Sequence, residues 1–312
     1  LADGTLQGLE ALVRWRHPER GLVGPGEFIT FSESRGLITP IGRWVMREAC
    51  RQLKAWQDEG LPPVPVAVNL SALEFRQRDV AAEIAAVLLE SVPGTAGIII
   101  PPKDYFKGVR EITKKYSILM ITDEVMAGFG RTGFWFALDD YDYTPDIISF
   151  AKGCNSGYVP AGGVIMSDPV AHRFDDIVFP GGLTYSGHPL AMGAIVATQE
   201  AMEEEHIVDN AYTIGKDVLG PQLTALYDKH PKIGEVRGKG VFWAVEMVAD
   251  RTTKEPLDDA TMKQIVAEGD KRGLILGVHN NRIHVTPPCV ISADEATQGV
   301  EILDQVLTAA GC

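Results

Sequence analysis

The sequence lacks the features that mark several large classes of protein. Its four cysteines lie far apart and form no Cys-x-x-Cys pair, so neither a disulfide framework nor a zinc site is indicated. It has no run of lysines and arginines, and the formal net charge of −13 disfavours a phosphate backbone as a ligand. No apolar run approaches the length of a membrane span. We therefore predict a cytoplasmic protein whose partners include neither nucleic acid nor membrane.

The N-terminus lacks a targeting segment, because no basic stretch leads into an apolar one. It also lacks an initial methionine, which indicates a fragment or a processed product. What is present is a chain of 312 residues, of which 45% are hydrophobic, enough to bury a core. These numbers predict a globular chain with one large or two ordinary domains.

The first third of the chain alternates between extended and helical patterns. Leu9 to Trp15 looks extended, residues 41–57 place apolar side chains at helical intervals, and Val64 to Leu70 is a β-rich run. This order predicts β, α, β. The next apolar run, Ile84 to Leu89, suits either a helix or a buried strand. We predict a strand beside Ile118 to Thr122, burying Ile84, Val87, Leu88 and Leu89, because the run from Ile118 would otherwise be an exposed sheet edge.

Beyond Gly94 the pattern is clearer and predicts an α/β fold with a mostly parallel sheet and flanking helices. An amphipathic helix is predicted over Asp104 to Tyr116, and a second helix from Pro189 to about Glu205. The final segment, from Ile233, mixes short strands and helices and predicts an α+β module. Strands are predicted at Ile118 to Thr122, Ile147 to Ala151, Gly162 to Met166, Val241 to Val248 and Arg282 to Val285.

The segment Gly128-Phe-Gly130-Arg-Thr-Gly133 matches the dinucleotide fingerprint G-x-G-x-x-G. That fingerprint should open a helix and be followed by an acidic residue about 20 positions later. Aromatic residues and then Gly153 stand there instead. We therefore predict a loop and no nicotinamide or flavin site.

Two polar residues follow neighbouring predicted strands. Asp123 stands at the end of one and Lys152 at the end of the next, and ligands of open α/β sheets bind at that edge. Because neighbouring strands lie about 5 Å apart, the carboxylate and the amine should face one crevice. Each also has an ordinary explanation: Asp123 could cap a turn, and Lys152 could extend into solvent.

Several motifs together resemble the class III, omega-type pyridoxal-phosphate aminotransferases, in order and in approximate spacing. The resemblance covers residues from about 84 to 312. Its motifs are Thr122-Asp-Glu-Val125, Gly128-Phe-Gly-Arg-Thr-Gly133, Phe150-Ala-Lys-Gly153, Thr184-Tyr-Ser-Gly-His-Pro189, Val236-Arg-Gly-Lys-Gly240 and Pro287-Pro288.

The resemblance implies a cofactor, pyridoxal 5'-phosphate, and roles for five residues. Lys152 would bind the cofactor covalently and then act as the base, Asp123 would hold the protonated ring nitrogen, and Val125 would pack on the ring. Thr184, from the partner subunit of a homodimer, would bind the phosphate, and Arg282 is a possible ligand for a substrate carboxylate. The substrates would be an amine or amino acid and a keto acid.

The first third resembles a different family, the EAL domain, a cyclic di-GMP phosphodiesterase barrel. The resemblance rests on Leu9 to Trp15, Ile41 to Trp44 and Val66 to Ser71. It implies that Glu10 and Asn69 are metal ligands. The further carboxylates that complete the metal site do not follow, and one carboxylate with one amide cannot hold two cations.

The two resemblances predict a chimera with a seam between Val80 and Glu90. Residues 1–83 would be a truncated βαβ piece of an EAL-type barrel, 84–230 part of an aminotransferase large domain, and 231–312 its C-terminal small domain. The join would omit the part of the cofactor site that precedes the seam. Four functions of the chain therefore stay open: an active transaminase, an inactive one, a cyclic di-GMP phosphodiesterase fragment and a non-catalytic fusion.

Overall fold

A computed structural model of the chain describes residues 9–61, 66–69, 71, 85–179 and 181–312. The chain divides into two units, Leu1–Ala85 and Ala86–Cys312. The predicted boundaries at residues 83 and 230 remain a proposal.

The N-terminal unit contains the predicted β, α, β order. Strand β1, Leu9–Ala11, pairs in parallel with β4, Val66–Val68, and the long helix α2, Ile38–Asp58, stands between them in sequence. The predicted extended run from Leu9 to Trp15 is interrupted after Ala11. The remaining elements are the antiparallel strands β2, Trp15–His17, and β3, Gly21–Val23, with the short helix α1, Ile29–Ser34.

The second unit begins with a sheet of four strands in the order β5-β6-β7-β8. The first three strands are parallel and the fourth runs antiparallel to its neighbour. Helix α3, Tyr105–Lys115, follows β5 in the chain and supplies the crossover to β6. The strands are β5, Ala86–Glu90; β6, Leu119–Asp123; β7, Ile147–Ala151; and β8, Gly162–Met166.

The predicted strand after the first third is confirmed within the described residues. β5 lies beside β6 with Val87 opposite Met120 and Leu89 opposite Thr122, whereas Ile84 lies outside the described residues. The predicted burial of Leu88 is wrong, because its side chain is 60% exposed. β5 is the outermost described strand of this sheet, and strand alternation points Leu88 to the face opposite buried Val87.

Helices connect the sheet to the C-terminal module, and the predicted helix from Pro189 is confirmed. His188 caps it, because its ring nitrogen Nδ1 accepts a hydrogen bond from the Leu190 amide at 3.2 Å. The helices here are α4, Asp168–Ala171; α5, Pro189–Glu204; α6, Ile207–Ile214; and α7, Gly220–Lys229, with the π-helical segment Gly215–Leu219 between the last two.

The C-terminal module is an α+β structure, as predicted. Its sheet is built on β10, Phe242–Asp250, which pairs antiparallel with β9 on one side and with β13 on the other. Helices pack on this sheet around a core that includes Leu223, Ile265 and Leu307. The remaining elements are β9, Ile233–Lys239; β11, Glu255–Pro256; α8, Asp259–Lys271; β12, Gly277–His279; β13, Arg282–Val285; and α9, Ala293–Ala309.

A paired carboxylate fixes helix α3 to the sheet. Arg110 donates to both oxygens of Asp146, at 2.6 and 2.8 Å, and the Met120 amide donates to Oδ2 at 2.7 Å. Burial alone would raise the pKa of Asp146, but the hydrogen bonds from Arg110 and Met120 and the charge of Arg110 outweigh it and lower that pKa.

Because the pKa is lowered on folding, the ion pair contributes stability above the unfolded pKa of about 4, and this contribution is lost as the pH falls through the folded pKa. Asp146→Asn should reduce the free energy of unfolding by about 2 kcal/mol near neutral pH. The difference from wild type should shrink in acid. Urea unfolding at several pH values measures this, and a difference that is constant with pH would contradict it.

Candidate functional site

The ends of the parallel strands place Asp123 and Lys152 at one edge of the sheet. Asp123 is the last residue of β6, and Ser149 of β7 stands opposite it. Lys152 directly follows the last residue of β7. The two residues therefore lie at the carboxyl ends of adjacent parallel strands, the edge at which open α/β sheets bind ligands.

One oxygen of the Asp123 carboxylate is already engaged. Oδ1 accepts a hydrogen bond from the Val125 amide at 2.8 Å, which fixes the side chain at the start of the turn after β6. Among the described residues, Oδ2 accepts no hydrogen bond. Asp123 thus combines the turn role expected of it with an acceptor that remains available to a ligand.

Lys152 begins a 3-10 turn, Lys152–Asn155, and its side chain is exposed. Within the described part of the chain its amine forms no ion pair. Its backbone has φ = 49°, in the left-handed region that residues other than glycine rarely adopt. Gly153 follows because a Cβ there would lie 2.8 Å from Phe129 Cβ, closer than van der Waals contact allows. A free amine therefore stands on a backbone that its neighbours constrain.

The glycine-rich segment 128–133 forms turns and opens no helix, as predicted. Gly130 and Gly133 have φ values of 85° and 84°, and the Gly130 amide donates to the Phe134 carbonyl at 3.0 Å. The loop packs beside the strand ends through Phe129, which is 8% exposed. The geometry of a dinucleotide fingerprint is absent from this described segment.

Thr184 lies apart from these contacts. It stands in the exposed turn before α5. Within the described chain, no hydrogen bond connects Thr184 to Asp123 or Lys152.

Arg282 belongs to a charged cluster on β9, β10 and β13. Its Nε donates to Glu246 at 3.2 Å, and Nη2 of Arg237 lies 2.6 Å from the same carboxylate. The hydrogen bonds among the described residues include none from the terminal nitrogens of Arg282. Burial alone would raise the pKa of Glu246, yet hydrogen bonding and charge from the two arginines lower it. Arg237 also pairs with Glu235 at 2.8 Å, so Arg282 is the arginine of the cluster whose terminal nitrogens stay available among the described contacts.

The cluster is joined to the sheet edge by the loop that follows β5. The Arg237 Nε donates to the Gly97 carbonyl at 2.9 Å, and a Cβ on Gly97 would lie 2.8 Å from Arg282 Nε. Both arginines thus pack on the loop that follows Glu90, which stands opposite Asp123 in the sheet. Nearby His284 has a buried Nε2 that finds no hydrogen-bond partner among the residues the structure describes. Burial together with the charges of His279, Arg282 and Arg237 lowers the pKa of His284.

Sequence reasoning missed a buried polar network behind the strand ends. Glu124 is fully buried, and its carboxylate accepts hydrogen bonds from the amides of Ala137 and Leu138 and from the Ser91 hydroxyl. Burial raises the pKa of Glu124 despite these donors. Burial also raises the pKa of Tyr143, which lies 3.3 Å from Ser91 Oγ, to about 12. The available signal was the position of Glu124 directly after Asp123 in the same motif.

In the N-terminal unit, Glu10 and Asn69 are brought together. Asn69 Nδ2 donates to Glu10 Oε1 at 2.8 Å across the parallel pair of β1 and β4. No group of three histidine, cysteine, aspartate or glutamate side chains that could hold a metal occurs among the described residues. One carboxylate and one amide do not by themselves make a site for a divalent cation.

Comparison with known proteins decides the family. The family model described as aminotransferase class III matches residues 63–307. The chain belongs to the class III aminotransferases. Members of this family use pyridoxal phosphate.

Two curated relatives show what this class III aminotransferase chain is similar to. It is 35% identical over 238 residues to a hypotaurine/taurine–pyruvate aminotransferase of Paracoccus denitrificans, covering 72% of this chain and 52% of that protein. It is 34% identical over 264 residues to a putrescine–pyruvate aminotransferase of Pseudomonas aeruginosa, covering 81% and 58%. The chain thus spans about half the length of the curated relatives it matches.

Solved transaminase structures share the fold. A taurine:2-oxoglutarate aminotransferase from Bifidobacterium kashiwanohense, in complex with pyridoxal phosphate and glutamate, matches with a TM-score of 0.71 and 36% identity, covering 80% of this chain and 61% of that one. An omega-transaminase from Thermomicrobium roseum matches with a TM-score of 0.72 and 34% identity over the same shares.

The expected EAL-type piece finds no support in these comparisons. The class III match begins at residue 63 and enters the segment 1–83 that was expected to resemble an EAL barrel. The predicted seam between Val80 and Glu90 therefore does not coincide with the start of the family match.

Among the described residues, none of the helices combines the length and the apolar composition that a membrane span requires.

Proposed function

We propose that this chain transfers an amino group between an amine or amino acid and a keto acid, with pyridoxal phosphate as its cofactor. The observation that carries the proposal is the placement of Asp123 and Lys152 at the carboxyl ends of adjacent parallel strands. Among the contacts of the described residues, each retains unused bonding capacity: one carboxylate oxygen of Asp123 and the amine of Lys152. Membership of the class III family supports it.

The residues at the strand ends fit this cofactor. The open Oδ2 of Asp123 would accept the hydrogen bond of a protonated ring nitrogen, and a carboxylate there favours the protonated ring. Val125 would offer an apolar contact to the ring, and Thr184 of a partner subunit would hydrogen-bond the phosphate. When bound, pyridoxal phosphate supplies an electron sink for the pair left on the substrate carbon.

Lys152 would carry the proton transfers. Its amine would hold the cofactor covalently and, once the amine of the substrate has taken its place, would be free to accept a proton at Nζ. A fixed backbone at Lys152 limits the volume that Nζ searches, which is how orientation contributes to rate.

The experiment that tests the proposed function uses the purified chain with pyridoxal phosphate. An absorbance band of the lysine-bound cofactor should appear on titration, and amino-group transfer should follow with pyruvate and a series of donors including taurine, putrescine and alanine. Asp123→Asn should weaken the band and reduce transfer, because a neutral amide does not stabilise the protonated ring nitrogen as a carboxylate does. The absence of both the absorbance band and transfer activity in the wild-type chain would contradict the proposal.

Arg282 is proposed as a ligand for the carboxylate of the substrate. Its terminal nitrogens are unused among the described contacts, and a planar guanidinium matches a carboxylate. Arg282→Ala should raise the KM for the keto acid about tenfold or more, since a hydrogen bond to a charged group contributes roughly 1.5–3 kcal/mol.

Stability should change little in Arg282→Ala, because Arg237 keeps Glu246 paired. The matched control is Arg272→Ala, since Arg272 contacts Glu268 within α8 and its C-terminal turn. Steady-state kinetics measure both variants. Putrescine has no carboxylate. An increase in the KM for putrescine as large as the increase for pyruvate would contradict the assignment.

The chain is also proposed to form a homodimer. The segment before α5 exposes large apolar side chains, with Val178 93%, Leu183 78% and Tyr185 79% exposed. Large exposed apolar patches mark interaction sites, and these side chains are candidates for one. Light scattering after size-exclusion chromatography should give the mass of a dimer, and a monomer at micromolar concentration would contradict it. The proposed compartment is the cytoplasm, where free cysteines stay reduced.

For the N-terminal unit, the pairing of Glu10 with Asn69 is the observation that keeps an EAL-type origin as a proposal. We expect no hydrolysis of cyclic di-GMP with magnesium or manganese, because this pair lacks the further carboxylates that two cations need. A chromatographic assay of the linear product measures it. Turnover that Glu10→Ala abolishes would show the expectation to be wrong.

A further inference from the structure

Glu124 is a buried carboxylate that the proposed reaction does not use. Its side chain is fully buried, and it directly follows Asp123 at the end of β6. Because side chains alternate along an extended backbone, Glu124 points away from the face that Asp123 presents. A buried carboxylate is costly unless hydrogen bonds compensate it. The hydrogen bonds to its carboxylate supply that compensation.

Glu124 holds both ends of the loop formed by residues 124–138, which contains the glycine-rich segment 128–133. Its backbone carbonyl accepts from the Gly128 amide at 2.9 Å, near the start of the loop. Its carboxylate accepts from the amides of Ala137 at 2.9 Å and Leu138 at 3.0 Å, where the loop ends in a 3-10 turn. Its own amide donates to the Ser149 carbonyl at 2.9 Å and so joins the loop to β7. One residue thus ties together two strands and both ends of segment 124–138.

The middle of the loop packs on the residue that follows Lys152. A Cβ on Gly153 would lie 2.8 Å from Phe129 Cβ and 3.6 Å from the Gly128 carbonyl oxygen. The Phe129 ring lies 5.8 Å from the ring of Phe150, on the other side of Lys152 in the chain. Phe129 therefore contacts residues on both sides of Lys152.

Lys152 needs this support because of its backbone. Its φ of 49° is in a region that residues with a Cβ disfavour, and such a conformation persists only where the surroundings enforce it. The surroundings here are β7 on one side and Phe129 against Gly153 on the other.

We propose that Glu124 is a positioning residue: by closing the loop it holds Phe129 against Gly153, and so it fixes the backbone from which the Lys152 amine projects. The effect on catalysis rests on the proposed function. The mechanical coupling does not, because it concerns contacts that exist without cofactor.

Hydrogen–deuterium exchange of the cofactor-free chain tests the coupling. Glu124→Gln keeps the shape of the side chain but replaces one of its two acceptor oxygens by an NH₂ group. We expect exchange to rise about tenfold or more both at residues 137–141 and at residues 152–156, as loss of a hydrogen bond to a charged group implies. Phe129→Leu should raise exchange at 152–156 and leave 137–141 near wild type.

The matched control is Asp258→Asn, which alters another carboxylate that caps a helix in the same unit by accepting from the Thr261 amide. It should leave residues 152–156 unchanged. If Glu124→Gln does not fold by circular dichroism, Phe129→Leu decides the question. Faster exchange confined to 137–141 in Glu124→Gln, or unchanged exchange at 152–156 in Phe129→Leu, would overturn the proposal.

A second measurement separates this inference from the proposed function. With pyridoxal phosphate and borohydride, Glu124→Gln should lower the share of phosphopyridoxyl label on Lys152 relative to the other lysines, and Asp258→Asn should not. If wild type takes no label at Lys152, the proposed function fails, while the exchange data still decide whether Glu124 positions Lys152. If wild type is labelled and Glu124→Gln is labelled equally at Lys152, the positioning role fails alone.

Discussion

Lys152→Ala will abolish amino-group transfer, with a loss of at least about 10³-fold, because general acid–base catalysis alone contributes about 10²–10⁴-fold. It should also remove the absorbance band of the lysine-bound cofactor, because the variant has no amine at the end of β7. The fold should persist, since the Lys152 side chain is exposed and has no ion pair among the described residues. Transfer kinetics and absorbance titration measure the two effects.

The matched control for Lys152→Ala is Lys107→Ala, which removes another exposed lysine, on α3. The control should retain both the band and the transfer activity. Thermal unfolding by circular dichroism checks that both variants remain folded. Transfer by a folded Lys152→Ala variant at more than about a hundredth of the wild-type rate would contradict the role assigned to Lys152, because the loss would be smaller than the general-base contribution of about 10²-fold or more.

Gly215→Ala will destabilise the second unit by at least about 3 kcal/mol, the upper part of the range for overpacking. A Cβ at Gly215 would overlap the backbone of Gly240, and its distance to Gly240 Cα would be 2.5 Å. Gly240 cannot retreat, because a Cβ on it would in turn lie 2.5 Å from the Gly133 amide nitrogen. Gly215 is also the first residue of the π-helical segment Gly215–Leu219.

The matched control for Gly215→Ala is Gly299→Ala in helix α9. A Cβ at Gly299 meets no atom within 4 Å, so alanine should stabilise the chain by about 0.5–1 kcal/mol through helix propensity. Urea unfolding of the two variants measures the change in the free energy of unfolding, which should decrease in Gly215→Ala and increase in Gly299→Ala. Equal effects of the two substitutions would show that the contact between Gly215 and Gly240 does not limit packing.

Much of the fold follows from periodicity, as the matching bounds of β7, β8 and β13 show. The antiparallel direction of β8 was not predicted, yet a signal existed: residues 152–161 are too few for a parallel crossover, which needs about a dozen or more. The strand at β5 was predicted from the need to cover β6, since the local propensity of its alanines and leucines favours helix. Sheet pairing outweighed that propensity.

The candidate site, like the fold, could be predicted from the sequence only in part. Asp123 and Lys152 could be placed at one sheet edge because strand ends are local features and topology brings them together. Glu124 could not be assigned a role, because its partners Ala137 and Leu138 depend on how the intervening loop folds back. The left-handed backbone of Lys152 depends likewise on Phe129, and no local pattern around Lys152 encodes it.

The most direct measurement is the identity of the lysine that borohydride fixes to pyridoxal phosphate in the wild-type chain, determined by peptide mapping. The structure predicts that the phosphopyridoxyl group is found on the peptide containing Lys152, because this lysine alone among those discussed stands at a strand end beside Asp123 with a free amine. Label found mainly on another lysine, or no label at saturating cofactor, would contradict the assignment of this strand edge as the aminotransferase site.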